Sequence, residues 1–257
     1  MRVDWRLVRR VVLPLALVAA LIAAWQIAAS SGWLAEELGL EPFLVPSPLE
    51  VAEAFWHGRS VLWENTWVTL REILVGLLVG VVFGLLLAVA MRFSNLLRDA
   101  VFPLTVALQA VPVVVLAPIL VIWFGYGIWP KVIIIAASVF FPIVVATLDG
   151  LRQVDPEAVK MMRTLDASRW AIFRRVEAPT ALPSFFSGAK IAVAITPIVA
   201  IFAELAGSNS GLMLLIQQDN NNFKEGEVFA AVAILALIGI LLVALTTLAQ
   251  RLIVTWR

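Results

Sequence analysis

Apolar residues in this chain fall into long runs rather than the one-sided stripe of a soluble helix, and polar residues gather between the runs. Six stretches approach the roughly 20 apolar residues that a helix needs to cross a hydrocarbon core of about 30 Å. They run from Val11 to Ala29, Trp67 to Ala90, Val101 to Phe124, Lys131 to Leu148, Ser184 to Ala203 and Val228 to Gln250. Each reads as a membrane-spanning helix, the fourth being short enough to tilt or to re-enter from one side. The first has the basic lead and small-residue end (Ala28-Ala29-Ser30) of a secretory signal. Its 19 residues exceed the usual apolar stretch of about 7–15, so it is expected to remain as a span.

Composition agrees with solvation by lipid. Of 257 residues, 62% are hydrophobic and 14% charged, against roughly 25% charged in a soluble domain. The mean hydropathy is +0.98. No cysteine and a single histidine leave no thiolate or imidazole cluster, so no metal site is expected. A net charge of +1 excludes a strongly basic nucleic-acid surface, so where the charge sits matters more than its sum. Arg2, Arg6, Arg9 and Arg10, the 91–100 loop, the 149–183 loop, and Arg251 with Arg257 hold 14 of the 19 Lys and Arg residues. Short loops rich in such residues stay in the cytoplasm, which puts both termini there in a multi-pass protein of the cell (plasma or inner) membrane. Glu36, Glu37, Glu41, Glu50, Glu53 and Glu64 make the first outer segment acidic.

No repeat and no Pro/Gly/Ser linker divides the chain, which reads as one all-α domain. Ser47-Pro48-Leu49-Glu50 has the form of a capping box, predicting a helix from Pro48 to about His57 that lies in the outer interface with Trp63 and Trp67 near it. Gly76, Gly80 and Gly84 stack on one face of the second span and let another backbone approach, either a neighbouring span or a second subunit. Pro103, Pro112, Pro118 and Pro197 each remove a backbone donor and favour kinks.

The 149–183 loop breaks into two short helices by local chemistry. Asp155 caps a helix that starts at Pro156 and ends near Leu165; Asp166 suits a left-handed turn; Ser168 caps a second helix with Trp170, Phe173 and Val176. Pro179 and Pro183 are expected to stop that helix before the fifth span. The pair forms a knob protruding from the bundle, or a basic loop against anionic head groups.

From about Trp67 to Trp256 the chain resembles the membrane-spanning subunit of binding-protein-dependent ABC importers, in the nitrate/sulfonate/taurine branch with its vitamin-precursor relatives. Ala110-Val-Pro-Val-Val-Val-Leu-Ala-Pro118, Trp123-Phe-Gly-Tyr-Gly127, Phe141-Pro142, and Leu151-Arg-Gln-Val-Asp-Pro156 carry the likeness. Where the family's loop signature has Glu-Ala-Ala, a glycine and a final Leu-Pro, this chain has Lys160, Met161, Met162, Asp166 and Val176-Glu177-Ala178-Pro179. The resemblance implies a six-helix type I permease, with residues 1–66 preceding a core at 67–254. It also implies that the loop docks in a groove of a cytoplasmic ATPase; opposite Lys160 that groove is expected to be acidic. Further implied partners are an extracytoplasmic binding protein and a second permease subunit, identical or related.

The chain lacks the Gly-x-x-x-x-Gly-Lys-[Ser/Thr] phosphate loop, so it is not itself expected to be an enzyme; ATP and Mg belong to the partner, and this chain binds no cofactor. Polar groups that could face a translocation path or gate are Thr105, Gln109, Ser138, Thr196 and Glu204. Glu204 is followed by the turn-rich Gly207-Ser-Asn-Ser-Gly211 and reads first as an anchor of that outer loop; Lys190 snorkels to the inner interface. Asn220-Asn-Asn222 reads as outer loop. A channel or secondary transporter would need ionisable groups in mid-membrane, and a membrane enzyme a convergent acid/base set; the sequence offers almost none of either. The scarcity of basic residues in the spans favours a neutral aromatic solute, riboflavin-like or pyrimidine, over a sulfonate, taurine or nitrate anion.

Overall fold

A computed structural model describes residues 5–256, so Arg2 and Arg257, counted above for orientation, lie outside the described residues. In chain order the helices are α1 (Trp5–Ser30), α2 (Trp33–Leu38), α3 (Pro48–His57), α4 (Arg59–Phe93), α5 (Asn95–Leu108), α6 (Ala117–Phe124) and α7 (Ile128–Arg152). There follow α8 (Pro156–Thr164), α9 (Arg169–Ile172), α10 (Ala178–Leu205), α11 (Leu212–Asn221) and α12 (Glu225–Ile253). No strand occurs among the described residues. The fold is all-α, and among the described residues five segments are long and apolar enough to cross a membrane: Val12–Ser30, Arg59–Phe93, Ile128–Arg152, Arg169–Leu205 and Glu225–Ile253.

The expected third span is not one helix. After α5 the chain turns at Gln109 and Ala110, passes through a 3-10 turn at Val113–Leu116, and resumes as α6. Pro112 has no N–H to continue the ladder and disfavours a helical Val111, so the backbone switches to i→i+3 bonds such as Ala110 N to Ala107 O at 3.0 Å. The fourth span is longer than expected, with 25 residues in α7. Pro179 and Pro183 do not stop a helix either. A π turn at Phe173–Glu177 joins α9 directly to α10, where Pro179 occupies the first turn and Pro183 lies inside. The wider π turn before Pro179 makes room for its ring and its missing donor. The stretch read as loop at Asn220–Asn222 begins inside α11, which closes when Lys224 N donates to Asp219 O at 2.9 Å.

The described chain forms two compact units. One comprises residues 5–65 with Leu215–Ile234, although the latter lie inside the range 67–254 read as the core. In it Ser47 and Glu50 form the reciprocal capping box at α3. The Leu49 N–H donates to Gln26 Oε1 at 3.1 Å, and Phe43 meets Phe223 edge-on with ring centroids 6.0 Å apart. Phe55, Trp56 and Trp63 are exposed, as side chains solvated by an interface would be.

The other unit, Thr66–Leu214 with residues 235–256, is built around α4, α7 and α10. Its interior holds Ile73, Ile134, Ile135, Val139, Ile143 and Ala200, all fully buried. Gly76, Gly80 and Gly84 face α7 within the same chain. An added Cβ would lie 2.5 Å from the Ile135 side chain, 2.8 Å from Ala136 O and 3.0 Å from Phe140 O respectively. Along the other side of α7, Gly188 of α10 leaves 2.5 Å for a Cβ against Pro142 O and Ala146. Small residues thus bring three backbones together where no hydrophobic effect drives helices to pack.

Candidate functional site

At one end of the second unit, α8 and α9 form a protruding elbow. The Asp155 carboxylate accepts from Glu157 N at 2.8 Å and Pro156 opens α8; at the other end Asp166 takes φ 52°, and Ser168 Oγ accepts from Ala171 N at 3.2 Å. Helix α9 is held by aromatic packing: Trp170 and Phe173 stack at 5.3 Å between centroids, and both meet Phe93 at the end of α4, at 6.1 and 5.2 Å. Buried Glu177 accepts from Arg92 through both carboxylate oxygens, fastening the π turn to α4.

The two sides of α8 differ. Pro156, Val159, Lys160 and Arg163 recur at helical spacing and line a cleft against the bundle, with Lys160 turned toward that side. Met161 and Leu165 lie on the opposite side and are 61% and 71% exposed. Met162 is half-buried. The apolar surface offered to the exterior is therefore that of Met161 and Leu165.

The path residues are not gathered into one site. Thr105 and Gln109 line a cavity of about 170 Å³ with Ile133, Phe140 and Phe141. Thr105 Oγ1 donates to Val101 O at 2.9 Å, which leaves its lone pairs free to accept. Ser138 and Thr196 spend their hydroxyl protons on their own helices, at Ile134 O and Ala192 O. Lys190 donates to Gln250 Oε1 at 2.5 Å.

Glu204 belongs to a buried polar network at the end of the unit away from α8. Its carboxylate accepts from Thr69 Oγ1 at 2.5 Å and from Met213 N at 2.8 Å, while Leu212 N donates to Thr69 Oγ1 at 2.9 Å. Lys131 Nζ lies 2.5 Å from Glu72 Oε1 and 2.7 Å from Ser208 Oγ. The 207–211 loop is thus tied at Ser208 to α7 and just beyond its end to α10. Sequence reading found almost no ionisable group in mid-membrane and gave no role to Thr69, Glu72 or Lys131. The one signal was a carboxylate at position 72 inside an apolar run.

A family profile described as binding-protein-dependent transport system inner membrane component matches residues 80–256. The chain is 37% identical to the formylaminopyrimidine transport permease protein ThiX of Halalkalibacterium halodurans over 84% of this chain and 87% of that protein. It is 35% identical to the riboflavin transport system permease protein RibX of Chloroflexus aurantiacus, over 85% and 82%. The taurine transport system permease protein TauC of Escherichia coli is 28% identical over 98% and 92%. Among solved structures, an amino acid ABC transporter shares the fold, with a TM-score of 0.60 at 16% identity, covering 77% of this chain and 96% of that one.

Proposed function

Because this chain belongs to the binding-protein-dependent transport system inner membrane components, and is a permease of that class, we propose that it forms the path of an ATP-driven importer for a small neutral aromatic solute of the vitamin-precursor type. The face bearing α8 is cytoplasmic, and a separate ATPase docks on it. An extracytoplasmic binding protein delivers the solute to the other face, and a second permease subunit completes the path. Docking is supported by the exposed Met161 and Leu165 on a helix capped at both ends, a rigid apolar surface of the kind that seats in a groove.

The observation that carries the solute class is the cavity of Thr105 and Gln109. Its walls hold two phenylalanines, a hydroxyl, an amide and no charge, which suits a flat heterocycle with a few hydrogen-bonding edges better than a sulfonate. The formylaminopyrimidine and riboflavin permeases, at 37% and 35% identity, point the same way, against 28% for the taurine permease.

Two measurements test this reading. The tagged chain purified from native membranes should retain an ATPase, and Met161→Asp should release it; an intact complex in that variant would refute docking through α8. Uptake of labelled formylaminopyrimidine into cells expressing the whole importer should fall about tenfold in Gln109→Leu, the effect of losing one or two hydrogen bonds. Equal uptake by variant and wild type, or uptake of taurine alone, would refute the solute reading.

A further inference from the structure

On the side of the second unit that carries α8 there is a cleft of about 400 Å³ that neither docking nor the solute path uses. Five cationic side chains line it: Arg92 at the end of α4, Arg98 on α5, Arg152 at the end of α7, and Lys160 and Arg163 on α8. The single carboxylate lining it, Glu177, is already engaged by Arg92. Arg98 and Arg152 pair with exposed carboxylates on their own helices, Asp99 at 3.1 Å and Asp149 at 3.5 Å, and Arg152 also lies over the Phe102 ring at 5.8 Å. Among the described residues, Lys160 and Arg163 make no ion pair.

Four elements therefore bring five cations and one carboxylate to one concavity, and the two cations on α8 have no carboxylate partner among the described residues. Like charges held together repel, and a dianion among them would replace repulsion by attraction. Arginine forks match phosphate oxygens two at a time, and a lysine adds a mobile point charge. The volume lies in the range of small-ligand sites. The residues on α8 that face the cleft are opposite Met161 and Leu165, so a ligand here and a partner on the outer surface of α8 do not compete.

We propose that this cleft binds a phosphate-bearing anion, either a soluble phosphate compound or the head group of an anionic lipid, with Lys160 and Arg163 as its principal contacts and Arg98 and Arg152 at its margin. The site requires neither the orientation nor the solute proposed above.

The test uses the full-length chain without an ATPase. In phosphatidylcholine nanodiscs it is titrated calorimetrically with inorganic pyrophosphate; in parallel, native mass spectrometry counts phosphatidylglycerol molecules retained after mixed-lipid extraction. Pyrophosphate binding identifies a soluble ligand, and retention of phosphatidylglycerol alone identifies lipid. In either arm Lys160→Gln with Arg163→Gln should weaken binding about tenfold or more, while Arg175→Gln, an exposed cation outside the cleft, should not. If the double variant elutes as aggregate, Arg98→Gln with Arg152→Gln takes its place under the same criterion. Absence of both binding signals, or equal weakening by Arg175→Gln, would overturn the proposal.

Discussion

Lys131 stands between two kinds of partner: a carboxylate of α4, Glu72, and a hydroxyl of the 207–211 loop, Ser208. Both members of the ion pair are more than nine-tenths buried. Removing the cation leaves the buried Glu72 carboxyl without its ion-pair partner. Lys131→Met should therefore destabilise the detergent-solubilised chain by about 3–5 kcal/mol in denaturant unfolding. Adding Glu72→Leu should recover much of that loss, because no unpartnered buried carboxyl then remains at 72. A double variant as unstable as the single one would show that Glu72 acts through something besides this pair. The sequence showed half of this arrangement: a carboxylate in an apolar run announces itself, whereas its partner lies 59 residues away with nothing local to mark it. Gly211 was visible only as part of a turn-rich segment. In the structure its φ is +122° and a Cβ would lie 2.5 Å from the Glu204 carboxylate, so the glycine is what lets the loop close on that acid.

At the level of elements, what was legible was local. The Ser47, Asp155 and Ser168 caps and the left-handed Asp166 depend on residues within three positions of one another, and the spacing of such side chains is written in the sequence. The glycine spacing of α4 was equally plain, but it named a face without naming its partner, which proves to be α7. Gly76→Ala should force a methyl against Ile135 and destabilise by about 1–3 kcal/mol. Combined with Ile135→Ala, the added cost of Gly76→Ala should largely vanish in thermal unfolding; an undiminished cost would mean that the seam is held elsewhere. Proline was the misleading signal. Pro112 breaks a segment that hydropathy presents as continuous, while Pro179 and Pro183 leave intact a helix they seemed bound to end. The difference lies in context: nothing restores the ladder around Pro112, whereas the wider π turn before Pro179 and the packed surroundings of buried Pro183 accommodate theirs.

For the whole molecule, hydropathy supplied the fold class, because lipid makes the same demand of every span regardless of which helix it touches. It did not supply the grouping of Leu215–Ile234 with the N-terminal residues, which depends on tertiary contacts. Orientation can be settled directly, since the chain has no cysteine to confuse the result. In intact cells an impermeant maleimide should label Asn209→Cys, and it should label Met161→Cys only after lysis. The reverse pattern would invert the topology proposed here. The glycine seam also bears on assembly: α7 occupies it, so the second permease subunit proposed above would have to use another surface.

The junction at Phe173–Glu177 has a mechanical meaning. Arg169–Leu205 is one continuous helical segment of 37 residues, with a π turn near its start, about 55 Å along its axis at 1.5 Å per residue, and it reaches from the elbow to the network around Glu204. A hinge or floppy linker at the elbow would absorb the first part of any stroke before passing the remainder on. A segment of this length pinned to α4 by Glu177 has little such backlash, so a push delivered to the elbow by the proposed ATPase would be carried to the far end rather than lost to slippage.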